Sequence, residues 1–132
     1  MFDTGYVVAA FEGATGVRLE KERYPSLEAE PFFHLLPRLE NFSSPEHAND
    51  RFGGHFTLRI YLDPDGAEDG FRDEGLERSL PERGPQEYQV SADAQRANVE
   101  VMFWGDASEI TPKAQETWAL LTSCLGRLSS AQ

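Results

Sequence analysis

"HFTLRIYLDPDG" (His55–Gly66) is the stretch that decides the fold. Phe56, Leu58, Ile60 and Leu62 alternate with Thr57, Arg59 and Tyr61, and the run stops at a Pro/Asp/Gly turn signal. Successive side chains of a strand point to opposite faces, so this pattern predicts a strand with one apolar and one polar-aromatic side. "EYQVSADAQRANVEVMFWG" (Glu87–Gly105) reads as a hairpin. In its second arm Val99, Val101 and Phe103 alternate with Glu100, Met102 and Trp104. If the two regions are neighbours, Phe56/Leu58/Ile60 and Val99/Val101/Phe103 form the core side. Arg59, Tyr61, Met102 and Trp104 then share the other side.

Outward from these strands, the chain ends in its clearest helix. Thr111 is placed to cap it, Pro112 fits the first helical position and Glu116 lies in the first turns. Ala114, Trp118, Leu121, Leu125 and Leu128 step by three and four along one side, and Gly126 marks the expected stop. "GYVVAAFEGATGVRLEKERYP" (Gly5–Pro25) is read as two antiparallel strands, at about residues 5–12 and 16–23, around a glycine-flanked turn; a helix from Tyr6 to Glu12 is the opposing reading. "SLEAEPFFHLLPRLENF" (Ser26–Phe42) has apolar residues at helical spacing, interrupted by Pro31 and Pro37, and is read as a kinked helix. "SSPEHANDRFGG" (Ser43–Gly54) reads as a loop. The expected order is roughly ββαβββα. That is an α+β fold with an antiparallel or mixed sheet of about five strands and two helices packed on one face.

The 132 residues are expected to make one domain, residues 1–132, with a long acidic loop at 63–86. At most a turn or two of helix fits that loop, around Glu74 to Leu80. Across residues 62–77, Asp63, Asp65, Glu68, Asp69, Asp73, Glu74 and Glu77 meet only Arg72, a net charge of −6 out of −11 for the chain. Such a balance repels nucleic-acid phosphate and anionic lipid and attracts basic surfaces. Ten arginines against two lysines are ascribed to genomic base composition. The single Cys124 excludes an internal disulfide, and no stretch approaches the roughly 20 apolar residues of a membrane span. The N-terminus lacks the basic start of a signal peptide. A cytoplasmic location is expected.

Few motifs carry chemistry. An EF-hand loop begun at Asp65 places Ala67 at position 3 and Leu76 at position 12; begun at Asp63 it places Ala67 at position 5 and Glu68 at position 6. Both registers fail the required ligand set. His47, Asp50 and His55 could be imagined as a metal cluster, but no H-x-x-x-H or H-E-x-x-H pair is present, and His34 lies in an apolar run. Cys124 falls near the C-terminal end of its helix, where a nucleophile is disfavoured. No cofactor, metal site or catalytic residue is predicted.

What remains is an interaction surface. Tyr, Trp, Met and Arg are enriched where proteins bind one another, so the Arg59/Tyr61/Met102/Trp104 side and the acidic loop are the expected partner-binding regions. The leading expectation is a noncatalytic acidic inhibitor of the immunity-protein kind, bound to a toxin with a basic surface. The alternatives are a small ligand-binding or enzymatic domain with a cleft between sheet and helix, edged by His47, Asp50 or His55, and a phage-type charge mimic that blocks a nucleic-acid-binding protein. A homodimer is compatible with the same face; nucleic acid and membrane are not expected partners.

Overall fold

The structure is a computed structural model that describes residues 2–21, 32–42, 45–62, 72–73, 77–78, 90–105 and 110–129. Its architecture is α+β. Helix α1 (Thr4–Thr15) leads into β1 (Leu19–Lys21) and β2 (Phe32–Pro37). Helix α2 (Pro45–Phe52) precedes β3 (Gly54–Tyr61), the two-residue strands β4 (Arg72–Asp73) and β5 (Glu77–Arg78), and the hairpin of β6 (Val90–Arg96) and β7 (Val99–Gly105). Helix α3 (Pro112–Arg127) closes the fold. The strands form one antiparallel sheet in the order β1-β2-β3-β7-β6-β4, with β5 also paired to β6. Five of them have three residues or more, which matches the expected sheet size.

The β3–β7 pair is the centre. Phe56 faces Phe103, Leu58 faces Val101 and Ile60 faces Val99, and all six side chains are fully buried against the helices. Ala92 and Ala94 of β6 extend this apolar side, and Leu35 of β2 completes it. Helix α3 lays Ala114, Thr117, Trp118, Leu121, Cys124 and Leu125 on the core, and Leu128 follows. Thr111 Oγ1 accepts from the Ala114 N–H at 3.1 Å with Pro112 in the first turn, as the cap signal predicts. The helix runs to Arg127, past Gly126, and its end is held from the sheet. Arg96 Nη1 donates to the carbonyls of Leu125 (2.9 Å), Gly126 (3.0 Å) and Leu128 (2.6 Å). A cation at the negative end of a helix is doubly favourable, by hydrogen bonding and by the helix dipole.

Residues 5–12 are helical, not the first strand of a hairpin. The Asp3 carboxylate accepts from the Tyr6 N–H at 3.1 Å at the start, and Gly16, with φ +75°, ends the helix by donating to the Glu12 carbonyl at 2.9 Å. Val7 and Phe11 lie four apart and are fully buried, so α1 has a genuine inward stripe. Gly16 is a helix terminator rather than a hairpin turn. Of the expected second strand, 19–21 form β1, while 22–23 lie outside the described residues.

The kinked helix expected at 32–42 is also corrected. Residues 32–37 make β2, paired with β1 on one side and β3 on the other. Pro37 stands at the strand's end opposite Leu19, where proline is tolerated, and Leu39–Asn41 form a single 3-10 turn. The helices that pack beside α3 are therefore α1 and α2, the latter joined to it where the Thr117 hydroxyl donates to the Phe52 carbonyl at 2.7 Å. "SSPEHANDRFGG", read as a loop, contains α2, with Pro45 at its first position. Gly53 (φ +69°) and Gly54 (φ +154°) follow it. Gly54 lies so close to the Trp104 carbonyl and Gly105 that a Cβ has no room. That contact sets the start of β3 against β7. Within the expected acidic loop, residues 72–73 and 77–78 pair with β6 as short strands, where helix was the only structure foreseen.

Candidate open sheet face

Sheet parity places a second row of side chains on the face opposite the helices. Along β3 these are His55, Thr57, Arg59 and Tyr61. The pairings set Trp104 across from His55, Met102 across from Thr57 and Glu100 across from Arg59. β6 adds Ser91, Asp93 and Gln95, and β2 adds Phe32 and His34 across from Tyr61 and Arg59. The four residues expected to share a face, Arg59, Tyr61, Met102 and Trp104, do share it. All four are half-buried.

The face is aromatic at its ends and polar at its middle. His55 and Trp104 stack at one end, 5.1 Å between ring centroids with 22° between planes. At the other end Phe32 and Tyr61 pack at 5.3 Å, and the Arg59 guanidinium lies over the Phe32 ring at 4.9 Å. The six steps from His55 to Tyr61 span roughly 20 Å at the strand rise of about 3.3 Å per residue. Between the two aromatic ends, Arg59 Nη1 approaches Glu100 Oε1 at 3.6 Å, and the Tyr61 hydroxyl donates to the same oxygen at 3.5 Å.

Glu100 sits in a mixed environment on this face. Its side chain is only 12% exposed, against 35% for Arg59. Burial raises its pKa, and the neighbouring Asp93 carboxyl raises it further by charge and by a side-chain hydrogen bond; Arg59 and Tyr61 oppose the rise. The Tyr61 hydroxyl is in turn pushed up, by desolvation first and by Glu100 second. His55 is pushed down by burial. Thr57 is 3% exposed, and among the described residues its hydroxyl has no hydrogen-bond partner; Arg59 Nε is likewise buried without one. Buried polar atoms of this kind are uncommon in folded proteins.

The other expected residues fare differently. Asp63, Asp65, Glu68, Asp69 and Glu74 lie outside the described residues. Asp73 and Glu77 are placed only by backbone pairing, with Ala94 and Ser91. His47 and Asp50 are exposed on α2, whereas His55 belongs to the sheet face away from the helices. Among the described residues no group of three His, Cys, Asp or Glu side chains could hold a metal ion. Cys124 is buried, and burial pushes its thiol pKa up. A groove of about 270 Å³ lies between α1 and α3, lined by Tyr6, Ala10, Ala14, Cys124, Arg127 and Leu128; none of His47, Asp50 and His55 borders it.

Sequence reasoning missed Phe32 and His34, because their segment was read as helix, and Asp93, because β6 has little alternation. Glu100 was legible as the residue out of phase between Val99 and Val101. No helix among the described residues is long and apolar enough to cross a membrane. No protein-family model, curated protein or solved structure matches the chain.

Proposed function

We propose that this chain is a noncatalytic protein-binding inhibitor, of the immunity-protein kind, whose open sheet face covers a basic surface on its target. One observation carries the reading: Tyr61, Met102, Trp104 and Arg59 lie half-buried together on the side of the sheet opposite the described helices. Large amphipathic side chains of these types anchor protein interfaces, because they bury area at little cost in rotamer entropy. The formal charge of −11 supplies the rest, since it speeds encounter with a basic partner and disfavours acidic ones. The carboxylates of 63–77 follow β3 directly in sequence and add to this field.

The test is affinity capture from the native host with wild-type protein and with Trp104→Ala and Tyr61→Ala variants, read by mass spectrometry. The expected result is one basic protein at fixed stoichiometry with the wild type, lost or strongly reduced with both variants. Capture of the same proteins by all three, or of no basic protein by the wild type, contradicts the proposal.

A further inference from the structure

We propose that the groove between α1 and α3 is a binding site for a small amphipathic carboxylate, a hydrocarbon chain or ring that ends in one carboxyl group. The proposal goes beyond the open-face reading and does not rest on it. The groove lies between the helices, on the other side of the sheet.

Small side chains open the groove. Tyr6, Ala10 and Ala14 recur every four residues along one side of α1, about 12 Å of wall at the helical rise of about 1.5 Å per residue. Cys124, Arg127 and Leu128 form the opposing wall from α3. Cys124 and Leu128 are buried, and Ala10 and Ala14 pack half-buried against the core. A side chain longer than alanine at position 10 or 14 would fill the space that these two leave, about 270 Å³. A cavity of about 150 Å³ admits a benzene ring, so this volume suits a ligand on the order of ten non-hydrogen atoms.

The polar groups on the walls are donors. Arg127 Nε donates to the Ser123 carbonyl at 3.2 Å, which lays the side chain back along α3. Its remaining N–H groups have no hydrogen-bond or ion-pair partner among the described residues. The Tyr6 hydroxyl accepts from the Ser129 N–H at 3.0 Å, so its own proton remains to be donated. The other charged groups on these elements are already engaged. Arg96 of β6 donates to the carbonyls of Leu125, Gly126 and Leu128, and thereby offsets the negative end of α3 that would otherwise repel an anion. On α1 the Asp3 carboxylate accepts from the Tyr6 N–H and the Glu12 carboxylate from the Leu19 N–H at 3.0 Å. A guanidinium with no carboxylate beside it, in a chain of net charge −11, is what selects the ligand. A carboxylate supplies the missing acceptor in a geometry the guanidinium matches, with the Tyr6 O–H as a second donor. The hydrocarbon part then covers Ala10, Ala14 and Leu128, in the manner of pockets that combine an apolar bed with a few polar groups.

The experiment titrates the full chain with sodium octanoate to millimolar concentration at physiological salt, read by amide proton–nitrogen NMR. Octanoate is expected to shift the Ala10, Ala14 and Cys124 amides along one saturating curve. Acetate lacks the chain and octylammonium lacks the anionic head, so each should act on those amides at least tenfold more weakly. Arg127→Gln should weaken octanoate about tenfold, the effect of losing a charge-assisted contact. Lys113→Gln removes the same charge from the other end of α3 and should leave binding within twofold of wild type. Ala14→Leu fills the groove and should abolish the saturable shifts without lowering the melting temperature, which separates lost binding from lost folding. Shifts that spread over the surface without saturating, octylammonium binding equal to octanoate, or undiminished binding by Arg127→Gln would each overturn the proposal. Trp104→Ala, on the open face, should leave octanoate binding unchanged, so the two readings are tested apart.

Discussion

Arg59 and Glu100 stand directly opposite one another on β3 and β7, and their Nη1 and Oε1 atoms are 3.6 Å apart on the face opposite the described helices. A nearly buried carboxylate beside a partly exposed guanidinium is an asymmetric pair. Removing the guanidinium strands a charge, while removing the carboxyl leaves an arginine that water can still reach. Arg59→Ala is expected to cost about 1–2 kcal/mol at neutral pH, a figure reduced from that of a buried pair because Arg59 is solvent-screened. The loss should shrink on acidification, when Glu100 becomes neutral. Urea denaturation of wild type and variant at two pH values measures both.

The pH dependence of stability should carry two opposed contributions. Glu100 has a folded pKa above its ordinary 4.5, so the native state holds that proton more tightly than the unfolded chain. Its contribution is fully present below 4.5 and is lost as pH rises through the folded value. His55 has a folded pKa below its ordinary 6.5, so its contribution is present above 6.5 and is lost as pH falls through the folded value. Glu100→Gln should remove the first contribution and His55→Gln the second. Melting temperatures of the two variants between pH 4 and 8 should therefore diverge from wild type at opposite ends of that range.

Asn98 ties the N-terminus to the centre of the sheet. Its Oδ1 accepts from the Phe2 N–H at 2.7 Å, and its Nδ2 donates to the carbonyls of Phe2 (3.0 Å) and Tyr61 (3.2 Å). The two bonds to Phe2 are buried and the one to Tyr61 partly so, with Asn98 itself only 3% exposed. Asn98→Ala leaves three backbone groups unserved and should cost about 3 kcal/mol. Asn98→Asp should fare little better, because it keeps the acceptor and loses both donors. Amide exchange at Phe2 and Tyr61 should accelerate in either variant.

Ala97, beside it in the β6–β7 turn, has φ +52°. A residue with a Cβ pays for that conformation and glycine does not. Ala97→Gly should raise stability by about 0.5–1 kcal/mol, the strain relief less the entropy that glycine adds to the unfolded chain. Thermal melting gives the sign directly.

The central strands and α3 were legible because two periods were clean there. β3 and β7 alternate without a break, and α3 carries its cap, its proline and its apolar stripe together. The open face follows from the same alternation, since any residue out of phase with Phe56, Leu58 and Ile60 must stand on the other side. Where the reading went astray, local signals were shared between structures. Gly16 serves a hairpin turn or a helix end equally well, and Asp3 with Val7 and Phe11 decides for the helix only once burial is known. Phe32–Pro37 is an apolar run interrupted by His34; its three-to-four spacing continues into a helical pattern, and its pairing to Arg59 and Tyr61 is long-range. The diagonal placement of Asp93 and Glu100 depends on register across β6 and β7, which no local pattern encodes.

The most direct measurement is the affinity of the captured basic partner for wild type and for Trp104→Ala, each verified as folded, in a calorimetric titration at constant salt and pH. If the open sheet face is the binding surface, Trp104→Ala weakens binding by about thirtyfold or more, the loss expected for an interface anchor worth 2 kcal/mol. An affinity within twofold of wild type would place the partner elsewhere on the molecule and contradict the account.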